Sequence, residues 1–221
     1  MADSPLIPPT PKDADYAVQM GSDADVFTTD EPFKLFEEWF LAARNAEPND
    51  PNAMSLATVD AQGAPNIRIV LLKDFGPGGF TFFTNTQSDK GRELAANPVA
   101  ALCFHWKSIG RQIRIRGAVA PVSDAEADAY FASRARDARI GAIASAQSRP
   151  LASPEAFKAE FEAKKAEFEG REPERPKHWS GYRMTPVEFE FWMNRPYRLH
   201  ERRRFRREGS DAPWTAEWLY P

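Results

Sequence analysis

Three stretches of this chain gather residue types that hold anions or move protons. The first runs from Arg68 to Lys73 (RIVLLK), four aliphatic residues bounded by two cations. An extended strand points successive side chains to opposite faces, so this odd separation sets Arg68 and Lys73 on opposite sides. One anion reaches both only if the strand bends; otherwise each cation meets its own anion, or the pair simply caps a buried strand with charge. The second stretch follows FTFFTN, where Ser88 is a candidate helix N-cap with Lys90 and Arg92 just inside it. Free backbone N–H groups, a hydroxyl and two cations at a helix start can hold a phosphate. Asp89 argues the other way, because a carboxylate suits the positive helix end and repels a phosphate. The third stretch, Arg198 to Phe205 (RLHERRRF), reads as a strand with Arg198, His200, Arg202 and Arg204 on one face. Guanidinium groups bind planar anions in bidentate fashion and stack on rings, and a histidine changes charge near neutral pH. The same row also describes a charge-guarded sheet edge that resists aggregation.

Other chemistries have less support. His105 and His178 lie far apart with no cysteine or carboxylate at metal-like spacing, so no metal site is expected. Cys103, the single cysteine, stands between Leu102 and Phe104 and reads as a buried, unpaired thiol. Gly76, Gly78 and Gly79 with Pro77 lie between two strands and form a turn, not a nucleotide loop opening a helix. Lys and Arg total 29 against 32 Asp and Glu, a net charge of -3. That balance gives no global attraction to nucleic acid or to an anionic membrane, so any anion site is local. The N-terminus has no apolar stretch typical of a secretory signal, and no apolar run spans a bilayer. The expected compartment is the cytoplasm.

The elements that must position these residues follow from the apolar pattern. Residues 1–28 are rich in Pro, Asp and small side chains without a sustained period, which predicts a mobile arm outside the core. A helix starts at Asp30 and closes near Asn45, with Phe33, Phe36, Phe40 and Ala43 as the stripe that packs on a sheet. Short apolar stretches split by turn residues predict an antiparallel meander at 53–60, 66–75 and 80–85, followed by strands at 99–106 and 111–119. In the last of these Ile113 and Ile115 alternate with Gln112, Arg114 and Arg116, one apolar and one polar face. A helical block opens on the capping box Ser123 to Glu126 and carries Tyr130 and Arg134 on one face. Another helix starts at Ser153–Pro154, carries Phe157, Phe161 and Phe168 along one side, and ends near Gly170. Strands return at 187–193, 198–205 and 214–220. The fold class is therefore mainly β with α (α+β), a barrel or half-covered antiparallel sheet. Regular strand–helix alternation, the mark of a doubly wound parallel sheet, is absent.

Taken together, DPNAM (Asp50 to Met54), RIVLLK, FFTN, SDKGREL, RQIRIRG, YFASRARD, IGAIASAQS, EFEFW and RLHER resemble, in order and spacing, the pyridoxamine 5'-phosphate oxidases, over roughly residues 30 to 221. The resemblance implies an antiparallel split β-barrel with peripheral helices, occupying residues 29–221, and a homodimer that binds FMN at its interface. It also implies oxidation of the 4' amine or alcohol of a small phosphorylated pyridine to pyridoxal 5'-phosphate, with O2 reduced to hydrogen peroxide. Position by position, it implies that Arg68, Ile69, Val70, Leu71, Leu72 and Lys73 line the flavin, with Phe83, Thr84 and Lys90 near its phosphate side. Gln112, Gln147 and Ser148 are further implied FMN contacts, and Trp192 and Arg202 would come from the partner subunit. Lys73, Tyr130 and Arg134 would meet the substrate phosphate, while Arg198, Leu199 and His200 would sit against the pyridine ring and Asp50 near the reacting centre.

Three positions depart from the family pattern: Asp89 stands where many members carry Arg, Ala138 replaces a phosphate-binding Ser, and Ser180 replaces a Gly of the usual WGG tract. Two other readings stay open. One is a related split-barrel FMN oxidase acting on another planar aromatic of the phenazine type. The other is a nucleic-acid-binding module built on Arg202 to Arg207, against which the acidic total argues.

Overall fold

The computed structural model describes residues 11–18 and 25–221. Its helices are α1 (Asp13–Val18), α2 (Pro32–Ala46), α3 (Asp89–Ala96), α4 (Asp124–Ser133), α5 (Arg136–Ala144) and α6 (Pro154–Glu167). Its strands are β1 (Ala53–Val59), β2 (Pro65–Leu71), β3 (Asp74–Gly76), β4 (Gly79–Asn85), β5 (Val99–Trp106), β6 (Arg111–Pro121), β7 (Trp179–Met193), β8 (Glu201–Arg206) and β9 (Thr215–Leu219). All described pairings are antiparallel, in the order β2-β1-β5-β6-β7-β4-β3, with β8 added to β7 and β9 to β8. No described helix is long and apolar enough to cross a membrane.

The sheet curls because its long central strands bend. β7 pairs with β4 through Trp179–Met184 and with β8 through Glu188–Met193, while β6 runs along its other edge with a register shift at Arg116/Gly117. A bulge raises local twist. Here it needs glycine, since a Cβ on Gly117 would lie 2.0 Å from the Thr185 carbonyl oxygen. The concave face is apolar by simple alternation: Met54 and Leu56 from β1, Ile113, Ile115 and Val119 from β6, and Phe189 and Phe191 from β7 are buried. Helix α2 fills the opening with Leu35, Phe36, Trp39 and Ala43, and the Phe36 ring meets Phe75, Phe80 and Phe104 at centroid distances of 4.9, 4.9 and 5.3 Å.

Several expectations hold, and four are corrected. Helix α2, the Ser123–Glu126 capping box, the Ser88 and Ser153 N-caps and the two faces of β6 are as the sequence indicated. The strand expected over 66–75 breaks after Leu71: Leu72 turns into the core, and β2 and β3 end at opposite ends of the sheet path instead of forming a meander. The single helix expected to carry Tyr130 and Arg134 stops at Ser133, with Arg134 as its C-cap, and restarts at Arg136. The strand expected from Arg198 starts only at Glu201; Pro196–Arg198 is a 3-10 turn with left-handed Tyr197 (φ 58°) and Arg198 (φ 61°), so the alternation argued for Arg198 and His200 does not apply. Part of the arm expected to lie outside the core belongs to it: Phe27 is buried, and the Trp39 indole N–H donates to the Val26 carbonyl at 2.7 Å. The remainder of residues 1–28 falls largely outside the described residues.

Candidate active site

The break after Leu71 builds the site. With its strand ended, the backbone N–H of Lys73 donates to the Thr81 carbonyl of β4 at 2.9 Å, which draws the end of β2 across to the far side of the curled sheet. Between these strands, covered by α3, α4, α5 and α6, lies a cavity of about 590 Å³. It is lined by Arg68, Ile69, Val70, Leu71 and Lys73 from the β2 segment, Phe83, Thr84 and Asn85 from β4, and Lys90 from α3. The helical block contributes Tyr130, Arg134, Ala138, Gly141 and Phe157, with Gln147 and Trp179 completing the wall. The bend resolves the parity of Arg68 and Lys73, since both enter one cavity from different segments.

At one end stand Arg68 and Lys90. The Lys90 ammonium donates to Gln147 Oε1 at 3.0 Å and to Ser88 Oγ at 3.3 Å, and Thr84 Oγ1 donates to the same Gln147 oxygen at 3.2 Å. Burial lowers the Lys90 pKa, and the Arg68 charge lowers it further, against opposing pulls from Asp89 and Glu93. Asp89 does not line this cavity; it pairs with Arg92 on the exposed side of α3.

At the other end three rings stack: Phe83 lies 4.0 Å from Tyr130 and 5.5 Å from Trp179, centroid to centroid. Gly181 makes room, since a Cβ there would come within 2.6 Å of the Phe83 ring. The Arg134 guanidinium sits over Trp179 at 4.9 Å, and the Lys73 ammonium is 5.9 Å from the Tyr130 ring centre. Arg134 Nη1 is buried with no hydrogen-bond partner among the described residues. Burial pushes the Arg134 pKa down. A buried guanidinium N–H without an acceptor is costly, and an anion entering this cavity is the natural acceptor.

The other expected site residues lie elsewhere. Gln112 and Trp192 are register partners on β6 and β7, and Trp192 faces Arg202 on β8. The His200 ring lies 4.5 Å from that of Trp192, and its Nδ1 accepts the Arg195 backbone N–H at 3.2 Å. Arg202 donates twice to Glu190, at 3.0 and 2.8 Å. Arg198 and Leu199 are exposed beside this group, Asp50 is exposed before β1, and Ser148 follows α5 in a left-handed conformation (φ 67°). None of these lines the cavity. Nor does the Leu72 side chain, which is in the core, with its backbone paired to Asn52.

Sequence reasoning missed Glu93 and Trp179. Glu93 lies three residues after Lys90, so both share one helix face, a spacing that could have marked it. Trp179 opens the W-S-G tract, in which only the neighbouring Ser180 drew attention.

Residues 40–166 match the family model described as pyridoxamine 5'-phosphate oxidase, and 179–221 match one described as the pyridoxine 5'-phosphate oxidase C-terminal dimerisation region. The chain belongs to the pyridoxamine 5'-phosphate oxidase family. It is 55% identical over 222 residues to a pyridoxine/pyridoxamine 5'-phosphate oxidase of Maricaulis maris, covering 100% of both chains. It is 56% identical over 219 residues to the enzyme of that name from Hyphomonas neptunium, covering 99% of each. Among solved structures, PhzG from Burkholderia lata, in complex with tetrahydrophenazine-1-carboxylic acid, matches with a TM-score of 0.81 and 32% identity over 88% of this chain and 94% of that one. An FMN-binding protein from Nostoc punctiforme shares the fold at a TM-score of 0.69 and 19% identity, over 88% of this chain and 100% of that one.

As a member of this family the chain is an FMN-dependent oxidoreductase with a split-barrel fold. The cavity fits such a cofactor: it is walled by aliphatic and aromatic groups, with buried Lys90 beside Arg68 in one part of its lining and half-buried Arg134 beside Lys73 and Tyr130 in another. The second group of expected residues, Trp192, Arg198, Leu199, His200 and Arg202, falls within the matched dimerisation region.

Proposed function

We propose that this chain oxidises pyridoxamine or pyridoxine 5'-phosphate at its 4' carbon to pyridoxal 5'-phosphate in a site completed by a second copy of the chain. The observation that carries this reading is the two-ended cavity: Arg68 and Lys90 at one end, and Arg134 with its unpaired N–H beside Lys73 and Tyr130 at the other. Two separated cationic ends suit two phosphates, one on FMN and one on the substrate.

FMN, when bound, supplies the two-electron acceptor for hydride removal from the 4' carbon, and O2 is the final oxidant, giving hydrogen peroxide. The residues supply placement and charge. Arg68, Ile69, Val70, Leu71 and Lys73, with the Leu72 backbone, form the flavin wall; Thr84 and Lys90 hold the phosphate side, Phe83 next to Thr84 continues the wall, and Gln147 and Ser148 are further contacts. Gln112 is a further cofactor contact, and Trp192 and Arg202 reach the cofactor from the partner subunit. Lys73, Tyr130 and Arg134 clamp the substrate phosphate, while Arg198, Leu199 and His200 orient the ring, with Asp50 near the reacting centre. Residues 29–221 form the oxidase domain, which acts in the cytoplasm.

A phenazine-type substrate is the second reading, favoured by the likeness to PhzG. Arg134 separates the two. Arg134→Ala is expected to raise the KM for pyridoxamine 5'-phosphate by about 10- to 100-fold, the loss of a charge-assisted hydrogen bond and its buried partner. Oxidation of unphosphorylated pyridoxamine, measured by oxygen uptake, should hardly change. Equal losses for both substrates would remove Arg134 from the phosphate clamp. The nucleic-acid reading has less support, since Arg202, Arg203, Arg204 and Arg206 each have a carboxylate partner within the chain.

A further inference from the structure

We propose that Glu93, which does not line the cavity, is a positioning residue that sets the Arg68 guanidinium for the cofactor. Glu93 is buried on the inner face of α3, and its carboxylate accepts from three groups: Thr58 Oγ1, Asn66 Nδ2 at 2.9 Å and Arg68 Nη2 at 2.8 Å. Thr58 and Asn66 are register partners on β1 and β2, and Arg68 stands opposite Leu56, whose carbonyl accepts from Arg68 Nη1 at 3.3 Å. Thr58 Oγ1 accepts from Arg68 Nη1 and donates to Glu93, so the hydroxyl relays between guanidinium and carboxylate. Hydrogen bonding to these donors holds the Glu93 carboxyl below its ordinary pKa although burial alone would raise it.

A guanidinium has five N–H donors. Two from Nη1 and one from Nη2 are taken by Leu56, Thr58 and Glu93, which, among the described residues, leaves the Nε–H and one Nη2–H of Arg68 for a ligand. Arg68 lies on a sheet-edge strand and the nearby Lys90 charge repels it. Without Glu93 the side chain would lose both its anchor and the charge that offsets this repulsion. A group fixed before its ligand arrives does not have to be ordered on binding, and binding is tighter for it.

This role rests on the assignment of Arg68 to FMN, and the test separates the two. FMN dissociation constants are measured by flavin fluorescence quenching for the wild-type apoprotein, Glu93→Gln, Arg68→Ala and the double variant, with apoprotein thermal midpoints recorded beside them. Glutamine keeps one oxygen but presents an amide N–H2 to a site built entirely of donors. Glu93→Gln should weaken FMN by about tenfold, the scale of one hydrogen bond to a charged group. In the Arg68→Ala background the same change should do almost nothing, because its route of action is gone. If Glu93→Gln does not fold, Thr58→Val, which removes only the relay hydroxyl, should weaken FMN several-fold and likewise lose its effect without Arg68. An equal loss with and without Arg68, or an unchanged or tighter complex, overturns the positioning role alone. An unchanged FMN affinity in Arg68→Ala overturns the site assignment as well.

Discussion

His200 shows how a single hydrogen bond constrains chemistry. Because its Nδ1 accepts the Arg195 backbone N–H, the neutral ring carries its proton on Nε2, leaving that nitrogen as a donor. Burial, and then the Arg198 charge, push its pKa below the ordinary imidazole value. Folding thus favours the neutral ring, so its contribution to stability is complete above the unfolded value of about 6.5 and is lost as pH falls through the lower folded value. Proton NMR of the imidazole should show a midpoint under about 6.5, and one at or above it would contradict this environment. Asp89 carries a second prediction. Its sequence position suggested repulsion of a phosphate, but its ion pair with Arg92 is exposed and away from the cavity. Asp89→Arg should therefore leave the FMN dissociation constant within about twofold, since exposed pairs are worth ~0–1 kcal/mol; a tenfold tightening would return Asp89 to the phosphate. Residue types alone pointed to Arg68, Lys90 and Arg198. They could not show that Arg134 Nη1 has no hydrogen-bond partner among the described residues while Arg202 has Glu190, because pairing is decided by tertiary neighbours.

At the scale of elements, strand alternation was legible and chain breaks were not. The Ile113 and Ile115 pattern of β6 and the Phe stripe of α2 follow local periodicity, so one face had to be buried. The break after Leu71 has no Gly or Pro to announce it; Leu72 reads as one more strand residue, and only its burial with the core ends the strand. Pro196 did signal a turn, but the alternating charges after it looked like an unbroken strand. The split between α4 and α5 is another case, and it still brings Tyr130, Arg134 and Ala138 to one cavity. The bulge at Gly117 can be tested separately. Gly117→Ala drives a methyl into the Thr185 carbonyl, which belongs to a central strand and cannot swing aside. Overpacking of this kind costs about 1–3 kcal/mol, to be read by urea denaturation. Undiminished stability would show that the bulge relaxes without glycine.

The whole molecule divides its chemistry between two surfaces. The cavity between β2 and β4 holds one set of groups, and the β6–β7–β8 side holds Gln112, Trp192, His200 and Arg202, of which the family resemblance implied that Trp192 and Arg202 serve a second copy. Ile67 and Ile69 on β2 are 66% and 64% exposed, and Val99 and Val187 on β5 and β7 are exposed with them. Apolar side chains on an otherwise charged outer face suit burial against another chain, in keeping with the matched dimerisation region. Local sequence pattern gave no sign of this division, since a residue serving a partner looks the same as one serving its own chain. The most direct test is the visible spectrum of the FMN-loaded protein on anaerobic addition of pyridoxamine 5'-phosphate. The oxidised flavin band should bleach within the mixing time of a manual assay, about one pyridoxal 5'-phosphate should form per flavin, and the band should return when O2 is admitted. A bound flavin whose spectrum stays oxidised in the presence of saturating pyridoxamine 5'-phosphate and pyridoxine 5'-phosphate would contradict the proposed oxidation.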